Sequence, residues 1–274
     1  MPPEPAPAKI NLALHVRRRR PDGYHELETL FAFLRDGDEI RLEPGPASFH
    51  IDGPFAAGLD AAGDNLVTNA ASIFAQRFGI EQNYAITLTK NLPIASGIGG
   101  GSADAAATLR ALAKLNGIPL DDATLFACAD VLGSDVPACL YGRSAVGTGR
   151  GERLEPLGGL TGIPVLLVNP NVALSTAAVF ARWDNVDRGP IGTGAILDRA
   201  RAGRNDLEPP ARALAPVIAD VVERLRETDP ILARMSGSGA TCFALYREPK
   251  ERAAAAMRIR AAGPGWWCLE SILV

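Results

Sequence analysis

The stretch from Leu92 to Asp104 reads Leu-Pro-Ile-Ala-Ser-Gly-Ile-Gly-Gly-Gly-Ser-Ala-Asp, between a strand-like run (Tyr84 to Lys90) and a helix-like run (Ser102 to Asn116). Such a layout suits a phosphate. Glycines let backbone N–H groups approach an anion closely, and the following helix aims its unsatisfied N–H groups and positive dipole end at the same spot. The loop is not a Walker A loop, because no Gly-Lys-Ser/Thr closes it. It is a poor dinucleotide fingerprint too, since the frame opened by Gly97-Ile98-Gly99 places Ser102 where its last glycine belongs. A tight turn without a ligand needs one or two glycines rather than this many flanked by serines, so phosphate binding is the reading favoured here.

Phosphoryl transfer asks a protein for positioning, charge neutralisation and an oriented nucleophile. Asp135 follows a helix end in Ser134-Asp135-Val136-Pro137. It is either a turn residue or the carboxylate that takes a proton from an attacking hydroxyl. Lys9 lies on a strand in a chain that otherwise prefers arginine. It is either an ordinary strand lysine or an ammonium that keeps a carboxylate ionised and offsets phosphoryl charge. Tyr24, His25 and Phe180 are packing aromatics or ligand contacts. Ser236-Gly237-Ser238-Gly239 is a hairpin turn or a second source of backbone donors for phosphate.

Local pattern places these residues on elements. Residues 9–16 alternate, with Ile10, Leu12, Leu14 and Val16 on a core face and Lys9, Asn11, Ala13 and His15 on the other. Pro21-Asp22-Gly23 marks a turn before strands His25 to Leu34 and Asp38 to Leu42. Asp64 to Phe78 predicts a helix capped by Asp64 and stopped by Gly79. Asp121 to Leu132 predicts another, capped by Asp121. The glycine-dense text from Ser144 to Gly151 suggests a twisted strand or hairpin. Strand Ile163 to Val168, a brief helix Ser175 to Trp183 and a weakly patterned stretch Asp184 to Asn205 with one helical piece follow. Helix Pro210 to Arg226, strand Cys242 to Tyr246, helix Pro249 to Ala262 and strand Trp266 to Val274 complete the chain. Without strict βα alternation, the mixture favours α+β.

Composition excludes several classes. The 274 residues are 47% hydrophobic and 22% charged, with a net charge of -3, so no global basic field points to nucleic acid. The run Arg17-Arg18-Arg19-Arg20 reads as a solvated turn or a local anion contact. Cys128, Cys139, Cys242 and Cys268 form no CxxC, which favours reduced thiols over disulfides or zinc. His15, His25 and His50 lack metal-ligand spacing. No apolar run approaches the ~18 residues that span a bilayer. Met1 to Ala8 shows no signal or transit features, so a cytoplasmic protein is expected.

At this point the residues resemble a known family. Pro7-Ala8-Lys9-Ile10-Asn11-Leu12 and the loop Pro93 to Ala103 resemble the first two motifs of the GHMP small-molecule kinases, and Ser236-Gly237-Ser238-Gly239-Ala240 resembles the third. One branch of that superfamily is matched by Arg20-Pro21-Asp22-Gly23-Tyr24-His25-Glu26-Leu27, Leu132-Gly133-Ser134-Asp135-Val136-Pro137, Gly147-Thr148-Gly149-Arg150-Gly151-Glu152 and Asn205-Asp206-Leu207-Glu208. The resemblance is dense from Ala6 to about Leu157 and sparser beyond.

What the resemblance implies is concrete. The fold would be α+β, with an N-terminal domain (1–157) like ribosomal protein S5 domain 2, a ferredoxin-like C-terminal domain (158–274) and a cleft between them. ATP and Mg²⁺ would serve to phosphorylate the 2-hydroxyl of the methylerythritol part of a diphosphocytidyl substrate, in non-mevalonate isoprenoid synthesis. Lys9 and Asp135 fall on the family's catalytic pair. Pro93, Ile94, Ala95, Ser96, Gly97, Ile98, Gly99, Gly100, Gly101, Ser102 and Ala103 fall on its ATP loop, and Asn65 and Lys90 on positions near the adenosine. Tyr24, His25 and Phe180 match residues that hold the cytosine, and Asn11 a contact to the methylerythritol part. Many members carry Gly-Leu-Gly and Ser-Ser where this chain has Gly97-Ile98-Gly99 and Ser102-Ala103, so a metal or phosphate contact from that pair falls to Ser102. The alternatives are a homoserine- or mevalonate-type kinase of the same superfamily, or an RNA-binding module of S5-like fold. The expected partner is a small molecule, with no nucleic acid and no membrane; oligomeric state is open.

Overall fold

In the computed structural model the described residues are 2–60 and 63–274. The chain begins β1 (Glu4–Arg19), β2 (His25–Pro44), β3 (Ser48–Asp52), α1 (Leu66–Phe78), β4 (Tyr84–Thr89) and α2 (Gly100–Leu115). It continues α3 (Ala123–Leu132), α4 (Val136–Tyr141), β5 (Ala145–Gly149), β6 (Arg153–Pro156), β7 (Pro164–Asn169), α5 (Thr176–Ala181) and α6 (Ile196–Ala202). It ends α7 (Glu208–Leu214), α8 (Val217–Arg226), β8 (Leu232–Met235), β9 (Cys242–Leu245), α9 (Pro249–Ala262) and β10 (Trp267–Ile272). The helix–strand mixture is the α+β class.

Two compact units interleave along the chain. The first comprises residues 1–8, 36–94 and 99–142; the second comprises 9–35, 95–98 and 143–274. A single cut at 157/158 does not coincide with this division, because Lys9–Arg35 and Arg143–Leu157 pack with the second unit.

In the first unit, residues Glu39–Pro44 of β2 run antiparallel to β4, and β3 runs parallel to β4 on its other side. Helices α1 to α4 pack against one another. Helix α2 is buried almost all round, and alanines at 103, 105, 106, 107, 111 and 113 supply the close approach its neighbours need. Asn65, not Asp64, caps α1, its side chain accepting from the Val67 N–H. Asp64 instead accepts from the Asn69 amide at 2.7 Å. Asp122, not Asp121, caps α3 through the N–H groups of Thr124 and Leu125. In each pair both residues are of a type that caps helices well. Gly79 stops α1 in the left-handed conformation, as its position predicts.

In the second unit, Leu27–Phe31 of β2 pair antiparallel with β5, and β5 and β6 form a hairpin. β1 pairs with β2. A separate antiparallel sheet has the order β10-β7-β9-β8, with α8 packed on β8 and β9 and α9 on β7 and β10. Its core joins Leu166, Val168 and Ala244 to Ile218, Val221, Val222 and Leu225.

Three sequence expectations are corrected. β1 is buried on both faces from Ala8 to Val16, so Lys9 and Asn11 do not lie on a solvent face. β2 is one strand rather than two, because Arg35, Asp36 and Gly37 continue the extended backbone as a half-exposed segment. The helix expected over Pro210 to Arg226 is two, broken at Ala215-Pro216 where proline cannot donate. The cysteines are free thiols, with Cys128, Cys139 and Cys242 buried. Among the described residues no helix is long and apolar enough to cross a membrane.

Candidate active site

The glycine loop leaves Pro93 and an exposed Ile94, passes Ala95 at φ 51°, and enters α2 at Gly100, two residues earlier than Ser102. Gly99 is the left-handed N-cap of α2, and the first helical bond runs from the Ala103 N–H to the Gly99 carbonyl at 2.7 Å. The N–H groups of Gly100, Gly101 and Ser102 precede that bond, so helix geometry leaves them for an external acceptor. A Cβ on Gly101 would meet only Leu66 Cδ1, at 3.6 Å, so nothing in the protein demands glycine there.

The middle of the loop, 95–98, is held within the second unit. Thr241 N–H donates to the Ser96 carbonyl (3.1 Å), Ser236 Oγ donates to the Gly97 carbonyl (3.0 Å), and the Lys9 N–H donates to the Ile98 carbonyl (2.9 Å). Here glycine is required. A Cβ on Gly97 (φ +75°) would lie 2.6 Å from the Gly239 carbonyl oxygen, and one on Gly237 (φ +54°) 2.8 Å from that of Gly97. Ser236-Gly237-Ser238-Gly239 is thus a backbone-on-backbone buttress for the first loop.

β1 delivers Lys9 and Asn11 beside this buttress. Both are buried. Lys9 Nζ donates to Asn11 Oδ1 at 3.0 Å and lies 5.4 Å from the Phe31 ring centroid. The Asn11 amide donates to Thr29 Oγ1 at 2.8 Å, and the Thr29 hydroxyl donates in turn to the Ala13 carbonyl at 2.8 Å. Asn11 backbone N–H donates to Ser236 Oγ at 3.2 Å. Both ends of the Asn11 amide are therefore engaged, and one of them orients the ammonium.

In the first unit, Asn65 spends its side-chain oxygen on capping α1. Lys90 is buried and bridges two carboxylates, Asp38 and, at 2.8 Å, Asp104. Burial opposes its charge, but those carboxylates more than offset it and raise the ammonium's pKa. Burial pushes the Asp104 carboxyl up to about 7 against the pull of Lys90. Asp135 is half-buried at the N-cap position of α4 without a side-chain cap bond, and its carbonyl accepts the Cys139 N–H at 3.0 Å.

An aromatic cluster forms in the second unit. His25 stacks on Phe180, with centroids 4.8 Å apart and planes 28° from parallel, and meets the edge of Trp183 at 5.6 Å. Burial, then the Arg19 charge, lowers the His25 pKa and so favours the neutral ring, which has one nitrogen as an acceptor. Tyr24 is exposed, with the Arg150 guanidinium 5.1 Å above its ring. Arg17 and Arg20 of the basic run pair with Glu28 and Asp187, and with Asp22 and Glu26.

Sequence reasoning missed Asp38, Thr29, Trp183 and Asn205. Asn205 donates to the Met235 and Gly237 carbonyls at 2.9 and 2.8 Å, holding the buttress loop. The Asn205-Asp206-Leu207-Glu208 segment carried that signal; Thr29 and Asp38 sit in ordinary strand text and Trp183 at the end of an ordinary helical run.

A glycine-rich loop entering a helix, a second glycine loop packed on it and a buried strand lysine fit the class of small-molecule kinases. The chain belongs to the GHMP kinases: residues 65–143 match the GHMP kinases N-terminal domain and 192–265 the GHMP kinases C-terminal domain. A relative from Rhizorhabdus wittichii named 4-diphosphocytidyl-2-C-methyl-D-erythritol kinase is 54% identical, over 99% of this chain and 94% of its own. The crystal structure of a 4-(cytidine 5'-diphospho)-2C-methyl-D-erythritol kinase superposes with a TM-score of 0.82 at 38% identity, over 98% of this chain and 97% of that one. Homoserine kinase from Cytophaga hutchinsonii superposes at TM-score 0.70 with 18% identity, over 97% and 95% of the two chains, and shares the fold.

Proposed function

We propose that this chain is an ATP-dependent kinase that phosphorylates the 2-hydroxyl of 4-diphosphocytidyl-2-C-methyl-D-erythritol, giving the 2-phosphate and ADP in non-mevalonate isoprenoid synthesis. The observation that carries this reading is the full-length likeness to kinases of that name. The neutral His25 stacked on Phe180 supports it as a flat, apolar-sided wall suited to a pyrimidine.

In this reading the N–H groups at the start of α2 hold the nucleotide phosphates. The Asp135 carboxylate orients the substrate hydroxyl and takes its proton as the oxygen attacks the γ-phosphorus and ADP leaves. Lys9, turned by Asn11, offsets negative charge on the moving phosphoryl group. Among the described residues no group of three or more His, Cys, Asp or Glu is placed to hold a metal. Ser102 on the first turn of α2 offers one hydroxyl, a donor set that fits Mg²⁺ arriving on the nucleotide phosphates rather than in a protein cage. There the ion would neutralise charge on the β- and γ-phosphates. Tyr24, with Arg150 over its ring, and Phe180 would flank the base, and the enzyme would work in the cytoplasm.

Asp135→Asn tests the assignment. Turnover is expected to fall by roughly 10³-fold or more while ATP affinity stays within about threefold. Full turnover in that variant would remove Asp135 from the reaction.

A further inference from the structure

The buried ions Asp38, Lys90 and Asp104 sit where a kinase has no evident need of them. Each is almost fully buried, and they comprise two acids and one base. Burying ions is costly unless geometry repays it, so a buried ion cluster is weak evidence of added stability, and in some proteins such a cluster fixes one arrangement.

Their attachments are specific. Asp38 Oδ1 accepts the N–H groups of Asn91 (2.6 Å) and Leu92 (2.8 Å), immediately before Pro93. The Asn91 amide donates to the Gly37 carbonyl at 3.1 Å. Asp38 Oδ2 takes the Lys90 ammonium, which also donates to Asp104 Oδ2 on the second turn of α2. Lys90 Nζ lies 3.1 Å from where a Cβ on Gly100 would stand. One ammonium therefore ties the segment entering the glycine loop to the helix leaving it.

We propose that Asp38 and Asp104 are positioning residues which, through Lys90, fix both ends of the glycine loop in the shape that receives nucleotide phosphates. This rests on the kinase reading. A loop fixed at its ends loses less freedom when ATP binds, so the clamp acts on nucleotide affinity and leaves the alcohol substrate's affinity alone.

The experiment compares Asp104→Ala with Asp104→Asn. Both retain a balanced Lys90–Asp38 pair; only Asn keeps an acceptor for Lys90 on α2. ADP binding by calorimetry is read first on the unaltered protein, and no binding there would sink the kinase reading itself. Given binding, Asp104→Ala should weaken ADP and raise the KM for ATP about tenfold, with the acceptor KM unchanged. Asp104→Asn should return both to within about threefold of the starting protein. Unchanged ADP affinity in Asp104→Ala, equal loss for both substrates, or failure of Asn to rescue would overturn the clamp. Asp38→Asn, which keeps the Oδ1 acceptor but loses the charge facing Lys90, should shift ATP KM in the same direction, and an unchanged KM in folded protein would count against it.

Discussion

The two glycine–serine loops look alike in sequence and owe their glycines to different causes. In Ser236-Gly237-Ser238-Gly239, glycine is required by the protein: Gly237 has φ +54° and no room for a Cβ against the Gly97 carbonyl. In Gly99-Gly100-Gly101, the last residue is helical and a Cβ on it would make only an ordinary contact with Leu66 Cδ1, at 3.6 Å, so the protein gives no reason for glycine. A glycine that the fold does not need points to a ligand that approaches the backbone. In the proposed reading the first loop receives a phosphate, whereas the second packs on the first loop.

The largest effect expected from this contrast is on stability. Gly237→Ala combines a left-handed alanine with a backbone clash, together about 2–4 kcal/mol. Thermal unfolding should show a Tm lower by at least roughly 5 °C. An unchanged Tm would show that the second loop is not the buttress described. Gly101→Ala should do the reverse. Alanine in a helix is worth about 0.5–1 kcal/mol over glycine, so Tm should hold or rise. ATP KM should nevertheless climb roughly 10-fold or more, because the added methyl group would stand where the proposed reading puts the phosphate against the backbone. A stable variant with normal ATP KM would erase the distinction between the loops.

Much of this contrast was legible in the sequence because it is local. The strand–loop–helix order, the strand carrying Lys9 and the glycine stop of α1 follow from spacing alone. The role of the second loop was not, since both readings of Ser236 to Gly239 satisfy the same letters and only the Gly97 contact chooses. Lys90 shows the same limit. Its partners Asp38 and Asp104 lie far from it along the chain, and pairing of that kind is settled by tertiary packing. Burial of β1 on both faces was hidden for a similar reason. Lys9, Asn11 and His15 look like a solvated face until Thr29, Ser236 and Arg204 supply their hydrogen bonds.

A smaller effect concerns β1, whose N–H groups hold both loops. His15 anchors its far half, hydrogen-bonded to the Gly189 carbonyl (3.0 Å) and accepting the Arg204 N–H at Nε2 (3.1 Å). Burial, then the Arg204 charge, lowers its pKa below 6.5. A base with a depressed folded pKa adds stability above its unfolded value, and that stability is lost as pH falls through the folded value. Tm should therefore decline as pH drops from 7 towards 5, and His15→Gln should flatten the decline. An equally steep decline in His15→Gln would release His15 from this role.

The central claim, that the phosphate loop and the His25–Phe180 wall belong to one kinase acting on a diphosphocytidyl sugar alcohol, is tested most directly by ADP release over a substrate panel. With ATP and Mg²⁺, 4-diphosphocytidyl-2-C-methyl-D-erythritol should yield one ADP per phosphate transferred, while mevalonate and homoserine yield none above background. ADP release with mevalonate or homoserine, and none with the diphosphocytidyl compound, would contradict it.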